Sequence, residues 1–288
     1  MWSIEGTALE LTYNYGTEDE SFEGYHPGNQ DKDGFGHVAF STNDVYSACA
    51  KLEDLGVSFK KKPNEGRYVP FYMYDNIPFS CKNNKFDNLM TLDIFSRMKG
   101  LAFAFDPDGY WVEIVKRSEE NTIDNEFNFS QTMLRIKDPN KSIPFYEALG
   151  MKLVHSMTFD DFSLYFLASN VDDDFNLNDM SADEARTKLG SRFGPILELT
   201  HNHGTENDEG FRYLNGNEEG RRGFGHIGFL VDDVYKACDK IRTFGYGFKK
   251  EPDGGSMKGL AFAYDPDGYA VEIIKRGGID FGDTKVES

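Results

Sequence analysis

Two histidines and four glutamates recur in register along this chain. GFGHVAF carries His37 and GFGHIGF carries His226. WVEIV and AVEII carry Glu113 and Glu272, and the string LELT occurs twice, with Glu10 and Glu198. Imidazoles and carboxylates repeated on strands are potential ligands of a divalent cation, and their duplication indicates two places to look. In VEI the carboxylate shares a strand face with its i±2 neighbours. These are Trp111 and Val115 for Glu113, and Ile196 and Thr200 for Glu198. A carboxylate among apolar neighbours on an inner sheet face needs a cation or a proton. Any one of them alone could be a solvent-facing strand residue; six in register argue against that.

The rest of each copy supplies the elements that must position these groups. Gly36–Ser41 reads as a strand. Asn43 or Asp44 caps a helix over Val45–Leu55, which Gly56 stops, and Val57–Lys61 is a short strand. Leu101–Phe105 and Tyr110–Lys116 form a hairpin around the turn Asp106-Pro107-Asp108-Gly109. The second copy repeats this order over residues 223–276. A third unit lies between them. It has strands at Phe129–Ile136, Met151–Phe159, Phe162–Ala168 and Pro195–His201. Its helices are one opened by Asp138-Pro139 and one over Ser181–Leu189. Residues 4–14 alternate and read as a lone strand. The fold class is α+β: tandem βαβββ modules, three complete and the last strand of a fourth. The expected division is a first half at 1–117, a linker at 118–128, a second half at 129–277 and a tail at 278–288.

The repeat also locates irregularities. Glu10 and Glu198 are 188 residues apart and His37 and His226 are 189 apart, but Glu113 and Glu272 only 159 apart. The first copy thus contains 30 extra residues, placed at about 68–97, where PNEGR and MKG are separated. The stretch has no Gly, Ala, Glu or Gln and no repeat partner. Arg67 and Ser96-Arg97 can be encoded by splice-donor and splice-acceptor codons, so a translated intron is one reading. A lid loop over a site is the other. Only nine residues precede Glu10, so the first unit is expected to lack its front, as an unrecognised first exon would leave it. An unpaired strand there would favour association of the chain as written.

A net charge of −18 argues against nucleic-acid and anionic-membrane partners. No apolar run approaches a membrane span, and residues 1–20 have no basic-then-apolar leader. The three cysteines suit a reduced cytoplasmic compartment: Cys49 and Cys238 occupy equivalent helix positions and read as small buried residues, and Cys81 lies in the extra stretch.

GFGHIGF, DVYKAC, KKEPDGGSMKGLAF, YDPDGYAVEI, LELTHNHGTE and QTMLRIKDPNKSIPFYEALGM together resemble the glyoxalase I (lactoylglutathione lyase) family of the vicinal-oxygen-chelate superfamily, in its fused two-domain eukaryotic form. The resemblance implies metal sites shared between modules of different halves. It implies that Gln131 and Glu198 join His37 and Glu113 in one complete set. Glu10, His226 and Glu272 make a second set that lacks its Gln. Two carboxylates, an amide oxygen and an imidazole form an open, oxygen-rich set suited to Zn²⁺ or Ni²⁺. Such an ion can stabilise an enediolate as a Lewis acid. The implied reaction isomerises the hemithioacetal of methylglyoxal and glutathione to S-lactoylglutathione by proton transfer, which would detoxify methylglyoxal. Glu113 would be the base with Glu198 across the metal, and Glu272 and Glu10 their counterparts.

For the glutathione co-substrate the family pattern implies Arg135 and Asn202, with Asn14 equivalent to Asn202. It also implies Arg222, Lys250 and Met257 in the second copy and Lys61 and Met98 in the first. Asp33 stands where the second copy has Arg222 and is expected to repel the tripeptide's glycine carboxylate. A fused monomer is expected for the full-length form. The competing readings are a degenerate, weakly active or non-catalytic metal- or glutathione-binding homologue, a mis-spliced form of the enzyme, and another superfamily enzyme such as a dioxygenase. The ligand set disfavours an iron dioxygenase, which presents two His and one carboxylate. His26, His155, His201 and His203 read as packed or surface histidines.

Overall fold

The computed structural model describes residues 7–19, 21–30, 32–66, 99–119, 125–172, 175–192, 194–255 and 257–277. The 68–97 stretch with Cys81, Met98, part of the linker and the tail lie outside these residues. The described chain forms two compact units.

One unit comprises Pro27–Asp138 and Lys152–Leu214. Its first module runs β1 (Phe35–Thr42), α1 (Val45–Asp54), β2 (Phe59–Lys61), β3 (Ala102–Phe105) and β4 (Trp111–Lys116). Asp44 starts α1 by accepting from the Tyr46 and Ser47 amides, which satisfies donors that a helix end leaves open. Gly56 takes φ +84° just past the helix, where a Cβ would be strained. The unit also contains β5 (Phe127–Ile136), β6 (Met151–Thr158), β7 (Phe162–Ser169), α3 (Ala182–Gly190) and β8 (Ile196–Asn202). Ser181 and Glu184 close a reciprocal capping box on α3. All eight strands form one sheet in the order β2-β3-β4-β1-β5-β8-β7-β6.

Alternation divides that sheet into two faces. Ala102, Ala104 and Ile114 pack with Val45 and Cys49 of α1. Leu101, Phe103 and Trp111 form a separate cluster on the other face, the one that Glu113 shares. The seam between the modules is the antiparallel pair β1·β5, with Ala39 opposite Gln131 and His37 opposite Met133.

The other unit takes in the chain up to His26, Pro139–Met151 and Asn215 onward. It contains helix α2 (Pro139–Ala148) and the third βαβββ order: β9 (Ile227–Val231), α4 (Val234–Thr243), β10 (Phe248–Lys250), β11 (Leu260–Tyr264) and β12 (Ala270–Lys275). Its sheet order, β10-β11-β12-β9, matches the order β2-β3-β4-β1 in the first module. Asp265 begins the β11–β12 turn by accepting from the Asp267 and Tyr269 amides, as Asp106 does from Asp108 and Tyr110. The Asp265 carboxylate also accepts from the Tyr146 hydroxyl of α2 at 2.7 Å.

The expected strand at 4–14 is corrected: its described part, residues 7–14, belongs to no strand. The second LELT lies on β8, held between β5 and β7. Residues 7–14 have no such flanking pair among the described residues, and without partners an extended segment forms no ladder. Leu11 and Tyr15 are accordingly exposed.

Candidate active site

Strand register brings three of the six repeated-ligand candidates together with one glutamine, and the other three form a second cluster. In the eight-stranded sheet Glu113 lies beside Ala39, and Ala39 faces Gln131. Glu198 lies beside Met133, which faces His37. Residues directly opposite on neighbouring strands, and residues two apart on one strand, point to the same side. His37, Glu113, Gln131 and Glu198 therefore project from one face.

Their atoms meet. His37 Nε2 lies 3.2 Å from Glu113 Oε2. The Gln131 amide nitrogen donates to Glu113 at 2.9 Å and to Glu198 at 2.8 Å, and lies 3.4 Å from His37 Nε2. His37, Glu113 and Glu198 are all buried. Burial pushes the Glu198 carboxyl up to about 7, with the nearby Glu113 charge adding to it and the His37 charge opposing. Burial alone would lower His37, but the hydrogen bond and charge of Glu113, helped by Glu198, outweigh it and raise its pKa. Glu198 Oε1 is buried without a hydrogen-bond partner. Two carboxylates and an imidazole converge here, and one carboxylate oxygen has nothing to bind. Such a pocket calls for positive charge.

In the other unit Glu10, His226 and Glu272 form a looser cluster whose ligand atoms lie within 4.8 Å of one another. His226 Nε2 is 3.6 Å from Glu272 and 3.7 Å from Glu10. The Glu272 carboxylate raises the His226 pKa against the effect of burial. The Glu10 side chain is two-thirds exposed, so solvent screens its share of the cluster.

Glu113, Gln131 and Glu198 also line a cavity of about 200 Å³. Its remaining wall is mostly apolar and includes Met157, Phe159, Leu164, Phe166, Leu189 and Ile196. The cavity combines charged, proton-accepting groups with an apolar compartment, as a site for a small organic molecule does.

A family model described as Glyoxalase/Bleomycin resistance protein/Dioxygenase superfamily matches residues 3–114 and 128–273. The chain is 40% identical over 273 residues to a lactoylglutathione lyase of Schizosaccharomyces pombe, covering 93% of this chain and 76% of that protein. It is 37% identical over 292 residues to a glyoxalase I of Saccharomyces cerevisiae, covering 96% and 74%. The chain belongs to the glyoxalase I family. The crystal structure of glyoxalase I from Zea mays is similar in fold, with a TM-score of 0.62 and 25% identity, over 94% of this chain and 74% of that one.

The side chains that the glyoxalase I pattern assigns to glutathione are placed unevenly. Arg135 is buried. Its guanidinium donates to the Asp33 and Phe35 carbonyls at 3.3 and 3.2 Å and to the Asn29 side chain at 2.9 Å, so it braces the loop before His37. Asp33 differs from expectation. It is 5% exposed and accepts from the Gln30 amide at 2.8 Å, so its carboxylate closes a turn instead of standing on an open wall. Asn202 donates to the Tyr213 hydroxyl at 2.8 Å, and Asn14 donates to Tyr25 at 2.8 Å. Lys61 donates to the Leu101 carbonyl at 2.7 Å, and Lys250 to the Leu260 carbonyl at 2.6 Å. Burial lowers the pKa of both lysines. Met257 is exposed, the Arg222 carbonyl accepts from the His26 amide, and Met98 lies outside the described residues.

Tyr25 and Tyr213 were not singled out from sequence. Their 188-residue separation, the same as that of Glu10 and Glu198, is the signal that would have found them. His155, expected as a packed or surface histidine, is buried and stacks on Phe166, and it also lines the cavity. His201 bonds Glu206 and His203 contacts Ser163.

Proposed function

We propose that this chain is a lactoylglutathione lyase. It converts the hemithioacetal of methylglyoxal and glutathione to S-lactoylglutathione, and so detoxifies methylglyoxal. The observation that carries this reading is the convergence of Gln131, Glu198, His37 and Glu113 beside a partly apolar cavity, in a chain whose relatives bear that name.

The donor set fits a divalent cation. Glu198 Oε1 is a buried acceptor without a partner among the described residues, and the Gln131 amide donates to both carboxylates. Glu113, Glu198, His37 and the Gln131 amide oxygen would hold the ion. Rotation of the amide about its last bond exchanges its oxygen and nitrogen. Zn²⁺ or Ni²⁺ suits two carboxylates, an amide and an imidazole with positions left open. When bound, the ion supplies Lewis acidity to the substrate oxygens.

The residues do the rest. Glu113 removes the proton from the carbon bearing sulfur and returns it to the neighbouring carbon, while the hydroxyl proton on the first carbon's oxygen passes to the former ketone oxygen, so atoms and protons balance. His37 balances the Glu113 charge. Glu198, raised by burial, offers a second carboxyl in unlike surroundings, the arrangement that lets one site both take and give a proton. The apolar wall keeps water from the carbanion-like intermediate. Glu272 and Glu10 are the counterparts in the second cluster, at His226. The buried free thiols of Cys49 and Cys238 accord with a cytoplasmic setting. No described helix is long and apolar enough to cross a membrane.

The test is metal-dependent appearance of thioester absorbance from methylglyoxal plus glutathione. No thioester from the Zn²⁺- or Ni²⁺-loaded protein would leave the binding-only reading.

A further inference from the structure

His155 lies in the same cavity and the mechanism gives it no task. It projects from β6 on the face shared with Met157 and Phe159. It is 8% exposed, and its Nδ1 is sealed from solvent without a hydrogen-bond partner. The ring stacks on Phe166, with centroids 6.0 Å apart and planes at 26°, and Phe166 is the cross-strand partner of Glu198. Burial lowers the His155 pKa, so the ring is neutral at neutral pH and keeps one donor and one acceptor. A buried polar group with an unmet nitrogen is destabilising. Leucine or methionine would fill the space without that cost. With Nδ1 closed off, Nε2 is the nitrogen left to meet a partner.

Resting on the reading that this cavity takes the hemithioacetal, we propose that His155 is a specificity-determining residue. It hydrogen-bonds a polar group at the far end of the aldehyde-derived side chain. The enzyme thereby favours 2-oxoaldehydes with a hydroxylated tail over apolar ones of the same size.

Strand spacing sets the reach. β6 is two strands from β8, so the backbones carrying His155 and Glu198 are roughly 10 Å apart at ~4.8 Å per strand. A methyl group on the reacting unit does not span that gap. A ring, or a chain of three or four carbons, does. The intervening carbons would lie against Met157, Leu164 and Phe166. A polar group made to bind a substrate hydroxyl discriminates strongly against the analogue that lacks it, because the site's own group is then left unpaired.

The test compares phenylglyoxal with para-hydroxyphenylglyoxal, which differ by one hydroxyl, and uses methylglyoxal as the short reference. Each is supplied with glutathione to the metal-loaded full chain, as wild type, His155→Leu and His155→Gln. Intrinsic reactivity differences between the aldehydes cancel when ratios are compared across variants. The hydroxyphenyl-to-phenyl ratio of kcat/KM falls at least about tenfold in His155→Leu and is largely restored in His155→Gln. His155→Leu melts no lower than wild type, since it removes an unmet nitrogen. An unchanged ratio overturns the proposal. An equal fall on all three aldehydes makes His155 merely structural and overturns it too. If wild type turns over none of them, including methylglyoxal, the lyase reading fails and this inference fails with it.

Discussion

Glu113 and Gln131 lie in hydrogen-bond contact at 2.9 Å although they belong to different βαβββ modules, on β4 and β5. Ala39 of β1 joins them, paired with Glu113 on one side and Gln131 on the other. The β1·β5 seam is therefore the element on which the site depends. Replacing Gln131 by Ala removes a group that hydrogen-bonds both carboxylates. Zn²⁺ affinity at this site falls at least about tenfold, read by chelator competition, since even outer-shell groups contribute that much.

Metal binding should release protons. Burial raises Glu198 to about 7, so the metal-free protein carries a proton on Glu198 below that pH. A bound cation requires the carboxylate and displaces that proton. Calorimetric titration with Zn²⁺ in buffers of different ionisation enthalpy should show more proton release near pH 6 than near pH 8. Glu198→Gln should reduce the difference and leave the part that comes from His37, whose pKa is also raised.

Much of this site could be read from period two and from the duplication. The face shared by Trp111, Glu113 and Val115 follows from alternation alone, and Asp44, Gly56 and the Asp106 turn follow from local cap and turn chemistry. Pairing across 18 to 161 residues does not. That Ala39 sits opposite Gln131 is a long-range register, and only the family resemblance suggested which halves meet. Residues 7–14 alternate as a strand does, but a ladder needs neighbours that local pattern cannot supply. Asp33 and Arg135 were read by charge. In the structure Asp33 accepts from a backbone amide three residues away, and Arg135 is taken up by two carbonyls and a side chain distant in sequence, which spacing does not reveal.

Arg135 should act through the loop it holds. Its guanidinium meets two carbonyls and the Asn29 side chain, and a lysine cannot reach three acceptors in that geometry. Arg135→Lys lowers stability by about 1–3 kcal/mol in denaturant melts. It also raises KM for the glutathione adduct, because the braced loop leads directly into His37.

Asp265 gives the unit containing Tyr146 a pH-dependent stability. Burial, and then the Asp267 charge, raise its carboxyl to about 7, against the Tyr146 hydrogen bond. In the unfolded chain it ionises near 3.9, so between about 4 and 7 the fold holds a proton that the unfolded chain has released. This stability is fully present below about 4 and is lost as pH rises through about 7. The melting temperature of wild type therefore drops more between pH 5 and 8 than that of Asp265→Asn, which stays neutral. Parallel profiles for the two proteins would show that Asp265 titrates elsewhere.

The most direct test of the account is thioester formation by chelator-stripped protein after addition of Zn²⁺ or Ni²⁺, in a Glu272→Gln background that silences the cluster at His226. The account predicts that the ion restores turnover, and that adding Glu113→Gln cuts kcat by at least about a hundredfold, within the range of a lost acid–base group. Turnover that survives stripping, or that is equal with and without Glu113, would contradict it.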